Sequence, residues 1–540
     1  MKWIKSCEND EIIQNNAKSS FFSKIIYSLP SLFKVVFCAY VLLAIILVTF
    51  FSRSSEPGTL HFNRLSILAI SAILLILNIF LLNHVKPFPT LSEKKFYIFI
   101  VICFLAVYFL EIFVTSHIWF YPGWDASIVR DSAKLLVDTN AKGFYDLDSA
   151  YHYYYYSKFP NNIIIGHTLA LLYKFGKIIF KSNPYFLILL FNNLLVNLSA
   201  MFATLCVYKI SNSRNIAVIS MLQGIVLLCL SPWIVVPYTD TFAIIFPAAI
   251  FFSYLYVKNP YIKYPAIVFL GILGYYFKPT VIIILIAFAI IFVSLSLSRI
   301  IERKHHFKKY IKVSVLTVAT AILTFALISN FVSGEKKYLA SDTEFTITHF
   351  FMMGLNKDTT GAYSAEDSIF SGSFDNVEQR QYANLTVAKQ RLKEFGVSGY
   401  LKFLAQKTIL NYNDGTFFWA GEGNFYSDIP EKSDFWSNIL RGIYYDDGEY
   451  YWIYNATEQI LWLNILVCTV FCLLGKAKNG FAVELISLTL LGVSMFLLLF
   501  ECRSRYLICF SPLFIVLSSI GLQQCCKYIE SLAMHTKHCQ

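Results

Sequence analysis

TVIIILIAFAIIFVSLSLS (residues 280–298) runs into RIIERKHHFKKYIK (299–312), and that into VSVLTVATAILTFALISNFV (313–332). Two apolar stretches, each near the roughly 20 residues a helix needs to cross a bilayer, flank a connection dense in Arg, Lys and His. Basic residues in a short connection between spans favour the cytoplasmic side, so this hairpin is expected to turn there.

Working outward, the same reading gives candidate spans at 32–51, 63–84, 96–118, 184–208, 214–235, 241–257, 264–277, 280–298, 312–332, 457–475, 480–500 and 505–523. The run NIIIGHTLALLYKFGKIIF (162–180) is apolar but broken by His167, Lys174 and Lys177. Were it to cross, everything after it would invert and 299–312 would face outward. As an interfacial or re-entrant helix, with the N-terminus inside, it leaves every cytoplasmic piece basic. Those pieces are the leader (Lys2, Lys5, Lys18, Lys24), 85–95, 209–214, 258–263, 299–312, 476–478 and the tail. The expected fold is an all-α polytopic membrane protein with about twelve transmembrane helices. Both termini are expected to be cytoplasmic, in a multi-pass protein of the cell membrane.

Composition excludes a soluble domain. Of the 540 residues 56% are hydrophobic and 15% charged, where a water-facing surface calls for about 25% charged. The net charge of +11 is spread over short loops, an orientation signal rather than a nucleic-acid surface, so no nucleic-acid partner is expected. The twelve cysteines lie mostly in apolar runs or near the C-terminus, and the two large loops have none, which excludes a disulfide framework. No cleavable signal peptide is evident, since the first apolar run is long enough to span. P-loop, HExxH and GxSxG patterns are absent from the sequence.

The organisation expected is a cytoplasmic leader (1–31) and a membrane domain (32–332) with a first outer loop at 119–183. A large outer loop (333–456), C-terminal transmembrane helices (457–523) and a cytoplasmic tail (524–540) follow. Residues 333–456 read as a folded cap with a helix near 376–410 and turn-forming stretches such as NDGTFFWAGEGN (413–424). Sequons stand at Asn384 and Asn455.

Five motifs gather on the outer side. In WDASIVRDSAKLL (124–136), apolar positions recur at helical spacing and make a helix that can lie on the membrane surface. Asp125 is then either the helix N-cap or a carboxylate at the headgroup boundary. SKFPNNIIIGH (157–167), with Asn161 and Asn162, follows the tract YHYYYY (151–156). Those tyrosines serve either as faces for sugar rings or as an interfacial belt. PYTDT (237–241) places Asp240 in an outward turn, as a site acid or a cap. GYYFKPT (274–280) sets Lys278 at the outer edge, for a lipid phosphate or as a snorkelling cation. FECRSRYLICFSP (500–512) brings Glu501, Arg503 and Arg505 to the last span, as a phosphate clamp or a structural pair.

As a set, the WD, FPNN, YTDT, KPT and E-x-R-x-RY elements resemble the GT-C superfamily of membrane glycosyltransferases, which includes protein O-mannosyltransferases and the lipid A aminoarabinose transferase. They look most like an uncharacterised Gram-positive branch. The resemblance covers most of the chain and implies a GT-C-like fold with juxtamembrane helices and a folded extracytoplasmic loop. It also implies transfer of a sugar from a polyprenyl (undecaprenyl) phosphate to an extracytoplasmic glycan or glycolipid, such as a cell-wall polymer. In that case Asp125 is the general base or the metal-proximal acid, Asp240 supports it or binds substrate, and Lys278 and Arg505, with Arg503, hold the departing phosphate, with Glu501, Asn161 and Asn162 as further substrate- or phosphate-binding residues. Asp125 is followed by Ala126 instead of a second acid, so no metal is assigned and a divalent ion is left open as cofactor. The alternatives are a flippase or transporter of lipid-linked oligosaccharide, and a polysaccharide polymerase or ligase.

Overall fold

The computed structural model describes residues 21–51, 64–84, 91–301, 307–340, 342–419, 421, 429–475 and 481–538. Much of the basic signal for orientation (Lys2, Lys5, Lys18, Lys86, Lys476, Lys478 and the centre of 299–312) lies outside them.

The described chain is built of helices. Among the described residues, eight are long and apolar enough to cross a membrane: Ser28–Phe51, Glu93–Ile118, Tyr185–Ser211, Thr239–Tyr256, Ile311–Lys336, Tyr451–Leu474, Ala482–Leu499 and Ser504–Met534. Shorter apolar helices cover Ser66–Phe80, Arg214–Cys229 and Pro279–Ser294. Their exposed faces are those of chains solvated by lipid. Ile98, Val101, Ile102, Leu105 and Phe109 line one side of Glu93–Ile118, and Val315, Ile322, Leu323 and Leu327 one side of Ile311–Lys336. Apolar strips of this length on a water-facing surface would associate.

At the centre, Ser511–His538 packs against Tyr451–Val470 and Tyr185–Ser211, and Phe21–Phe51 closes on Ala482–Leu499. Small and polar residues join these helices where no hydrophobic force between helices operates in lipid. Gln223 donates to Ser518 at 3.2 Å and accepts from Ser519 at 3.2 Å.

The expected span 214–235 is not one helix. It runs as an α-helix to Gly224, a π-turn over Ile225–Cys229 and a 3₁₀ turn over Pro232–Val235. Pro232 cannot continue a helical ladder, and Asn192 Nδ2 takes up one freed carbonyl, Ile234 O, at 2.7 Å. The run at 162–180 folds as the helix Ile163–Ile179, packed on Trp124–Asp138 and on Tyr185–Ser211.

The segment expected to form the cap folds around a small core of Met352, Leu355, Ala388 and Phe403. The helix expected near 376–410 is Val377–Tyr412, kinked at Gly396. Arg391 grips Asp367 with two bonds of 2.7 and 3.0 Å, and buried Arg380 donates to the carbonyls of Asp342, Glu344, Ser371 and Phe374. Asn384 is fully buried and accepts from Ser371, so this sequon is inaccessible in the folded chain.

Two features depart from the expected cap. Residues 413–419, the first part of the stretch read as turn-forming, are all buried between helices. Trp233 Nε1 donates to Thr416 O (2.9 Å), Trp462 Nε1 to Tyr412 O (2.9 Å), and Gly415 N to Gln459 Oε1 (2.8 Å). A turn needs its backbone polar groups satisfied, and here neighbouring helices do so in place of water. The second is an amphipathic helix, Phe435–Tyr444, capped by Asp434 and seated on the C-terminal end of Glu93–Ile118 through Arg441 and His117 O (3.1 Å).

Candidate functional site: a carboxylate recess at the ends of the helices

Asp125 lies in the first turn of Trp124–Asp138, but it is not the N-cap. Gly123 holds that position, and the helix has no side-chain cap. Released from that task, the Asp125 carboxyl turns to the hydroxyls of Tyr155 and Tyr238. Protein crowds this carboxyl on most sides, yet the residue is exposed by surface area. Both observations describe a group at the wall of an open recess. The helix's apolar stripe, with Ile128, Val129 and Ser132 buried, is covered by Ile163–Ile179 more than by any open surface.

The tyrosine tract does not act as one surface. It forms the helix Ala150–Lys158, and successive residues about 100° apart on a helix face different surroundings. Tyr156 is buried and stacked on Phe144 at 3.9 Å, and Tyr155 is buried at the site. Neither can offer a ring face to a sugar. Asn162, also buried, donates to Tyr155 Oη at 2.6 Å and to Tyr238 Oη at 3.3 Å, fixing the two phenols that reach Asp125. Asn161 is exposed and donates to Asn162 Oδ1 at 3.1 Å, so it stands at the rim.

Asp240 sits in the first turn of Thr239–Ala243, and Tyr238 takes the cap. Its carboxylate is an anchor for two cations. Lys278 Nζ donates to Asp240 Oδ1, and Arg505 Nε stands 3.3 Å from Asp240 Oδ2. Lys278 therefore neither snorkels nor waits unpaired for lipid. Its ammonium lies 4.8 Å from the centre of the Tyr506 ring, and Tyr506 Oη donates to Glu501 Oε1 at 2.7 Å. Arg503 is held apart from this pair, its guanidinium 4.8 Å over the ring of Phe418.

Arg505 and Glu501 complete the field at Asp125. Burial pushes its carboxyl above the ordinary 3.8, the positive charge of Arg505 pulls it down, and the negative charge of Glu501 pushes it up. The hydrogen bonds from Tyr155 and Tyr238 favour the ionised form. The net direction is upward.

The cap is sewn to the strand-like residues that precede these arginines. Glu501 N donates to Phe350 O and Cys502 N to Gly361 O, each at 3.0 Å. Buried Lys407 donates to Gly354 O (2.7 Å) and Phe500 O (2.6 Å). Sequence reasoning picked out Asp125, Asn162, Asp240, Lys278, Glu501 and Arg505, which the fold brings to one place. It missed Tyr155 and Tyr238 as site residues, Tyr506, and the Phe418 support of Arg503. It also passed over Glu111, fully buried inside Glu93–Ile118, where Asn197 donates to Oε2 at 3.0 Å. An acid within a long apolar helix is itself a signal, because an ionisable group there is costly without a purpose. Among the described residues, no cluster of three or more His, Cys, Asp or Glu side chains could hold a metal ion.

Comparison with known proteins agrees with the membrane architecture. Residues 21–526 match the family described as conserved hypothetical integral membrane protein. No curated protein and no solved structure matches the chain. With nearly its whole length inside that match, and with apolar helices of spanning length, the chain belongs to this family of integral membrane proteins.

Proposed function

We propose that the chain is a membrane glycosyltransferase that moves a sugar from a polyprenyl phosphate to an acceptor on the extracytoplasmic side. The observation that carries this reading is the recess itself: one accessible carboxylate, Asp125, in the field of a cation, Arg505, that is shared with Lys278 through Asp240. Displacement at an anomeric carbon needs a base for the attacking hydroxyl and positive charge for the departing phosphate. In this scheme an acceptor hydroxyl gives its proton to Asp125 and its oxygen forms the bond to the anomeric carbon. The bond from that carbon to the phosphate oxygen breaks, and the polyprenyl phosphate leaves against Lys278 and Arg505.

The orientation belongs to the same proposal. Twelve crossings in a GT-C-like arrangement, with Ile163–Ile179 lying in the interface and both termini in the cytoplasm, put this recess on the outer side. Nucleotide sugars are absent there, and a flipped lipid-linked donor supplies the substrate.

The test compares wild type with Asp125→Asn in membranes, following radiolabelled sugar from undecaprenyl phosphate to cell-envelope acceptors. Loss of transfer at equal protein level supports the reading, and unchanged transfer sinks it. A second reading, a flippase of lipid-linked oligosaccharide, draws on Glu111, buried within Glu93–Ile118 and accepting from Asn197 at 3.0 Å. For that reading Glu111→Gln should stop lipid-linked oligosaccharide from reaching the outer leaflet, while Asp125→Asn should leave it unchanged.

A further inference from the structure

Three exposed aromatic residues lie on the two helices that carry Asp125 and Tyr155. Trp124, the residue before Asp125, is 41% exposed. Tyr151 and Tyr154 are three positions apart, hence on one face of Ala150–Lys158, and are 65% and 54% exposed. This is the helix whose next tyrosine, Tyr155, bonds Asp125. Burial and then the charges of Asp125 and Asp131 push the Tyr151 phenol up, so both carboxylates lie within electrostatic reach of it. Asp131 is itself fixed by Arg130 through bonds of 2.8 and 2.9 Å, and its side chain is 44% exposed. An ionised carboxylate accepts about four hydrogen bonds, so Asp131 keeps acceptor capacity toward solvent.

The chemistry of the patch differs from that of the lipid-facing strips. Those present mainly Ile, Val, Leu and Phe, which need nothing polar from their surroundings. Here the exposed rings are Trp and Tyr alone, flat apolar faces that end in an N–H or O–H. A hydrocarbon chain has no use for the polar edges, whereas a pyranose has one face of C–H groups and a rim of hydroxyls. Carboxylates beside such rings accept from those hydroxyls in charge-assisted bonds.

We propose that Trp124, Tyr151 and Tyr154 form the acceptor subsite and that its ligand is a carbohydrate, stacked on these rings with hydroxyls directed to Asp125 and Asp131. The inference rests on the transferase reading above and narrows it: the acceptor is a glycan, not a protein hydroxyl or a simple lipid alcohol. The site orders the acceptor sugar so that one hydroxyl meets Asp125.

The experiment needs no turnover. Full-length protein in nanodiscs of phosphatidylcholine and phosphatidylglycerol is mixed with soluble hexasaccharides of glucose, mannose, galactose, rhamnose and N-acetylglucosamine. Saturation transfer from protein to sugar is then read by NMR. At least one hexasaccharide should bind wild type, and binding should fall at least about tenfold in Tyr151→Ala/Tyr154→Ala, the loss of about 1.4 kcal/mol expected for one stacking contact. Tyr151→Phe/Tyr154→Phe, which keeps the faces, should retain most of it and controls for folding. Absence of binding to wild type, or equal binding by the alanine variant, overturns the subsite. So does quenching of a fluorophore at position 151 by acyl-chain spin labels, which would place the patch in lipid. The two readings fail separately. Transfer that needs Asp125 but ignores the ring substitutions removes the subsite alone. Glycan binding lost with the rings, alongside transfer indifferent to Asp125→Asn, removes the transferase and keeps a glycan-binding surface.

Discussion

The Lys278 ammonium donates to Asp240 Oδ1, and it does so with both side chains almost wholly buried. The other oxygen of the same carboxylate faces Arg505 at 3.3 Å. One acid therefore positions two cations that come from separate turns.

That sharing makes the three residues unequal. Removing one partner of a buried pair costs about 3–5 kcal/mol, because the other charge is left uncompensated. Lys278→Met leaves Asp240 with Arg505, whereas Asp240→Asn strands two cations. The apparent melting temperature in detergent should fall further for Asp240→Asn than for Lys278→Met. Equal falls would argue that Arg505 does not depend on Asp240.

A base at Asp125 must be ionised to act, and burial raises its carboxyl above 3.8. The acid limb of kcat/KM against pH should be displaced upward from an ordinary aspartate's. Glu501→Gln removes a negative neighbour and should shift the limb down. Tyr238→Phe removes a bond to the ionised form and should shift it up. Shifts of the opposite sign would exclude Asp125 as the group being titrated.

Asp414 binds the loop behind Arg503. Its Oδ1 accepts from Thr416 N (2.8 Å) and Thr416 Oγ1 (2.7 Å), and its Oδ2 from Phe418 N (2.6 Å). These bonds hold Phe417 and Phe418 at φ of 55° and 67°, unusual for such bulky residues. Burial outweighs the bonds and pushes the Asp414 carboxyl up to about 6 from 3.8. A raised folded value means that this group's stabilising contribution is complete below 3.8 and is lost as pH rises through 6. The loss is about 3 kcal/mol at one pKa unit per 1.36 kcal/mol. Wild type should therefore unfold at a lower temperature at pH 7 than at pH 4, by a margin that Asp414→Asn reduces.

Two glycines of the cap separate backbone strain from crowding. Gly361 has φ +77°, and a Cβ there would lie 2.6 Å from Gly354 O and 2.8 Å from Lys407 Nζ. Gly396 has φ +56° with open space around it. With ψ of −177° it lies in a backbone region essentially reserved for glycine, so Gly396→Ala should cost only that backbone term of about 1–3 kcal/mol. Gly361→Ala should cost more, because it also pushes apart the clamp that ties the cap to Phe500 and Cys502.

Orientation is open to direct labelling. Val397→Cys, at an exposed point of the cap, should react with a membrane-impermeant maleimide added outside intact cells. Asn259→Cys, in the exposed turn before Pro260–Phe277, should react only after permeabilisation. The reverse pattern would place the Asp125 recess in the cytoplasm.

By itself the sequence determined that this protein lives in lipid. Hydrocarbon tolerates only chains whose backbone bonds are made internally and whose side chains are apolar, and both requirements are written in runs such as 280–298 and 312–332. The same cost of burying charge makes Asp125, Asp240, Lys278 and Arg505 legible at the ends of apolar runs. Their meeting was not legible. Asp125 and Arg505 lie 380 positions apart in the chain, and only the packing of the helices brings them into one field. Nor could composition tell that Asn413, Asp414, Gly415 and Thr416 turn among tryptophans instead of in water, because the turn's residues are the same and its partners come from distant helices. The tyrosine tract shows the division most simply. The residues specify a helix rich in rings, but which rings are buried beside Asp125 and which stay open depends on what the helix packs against, and that is a property of the tertiary structure.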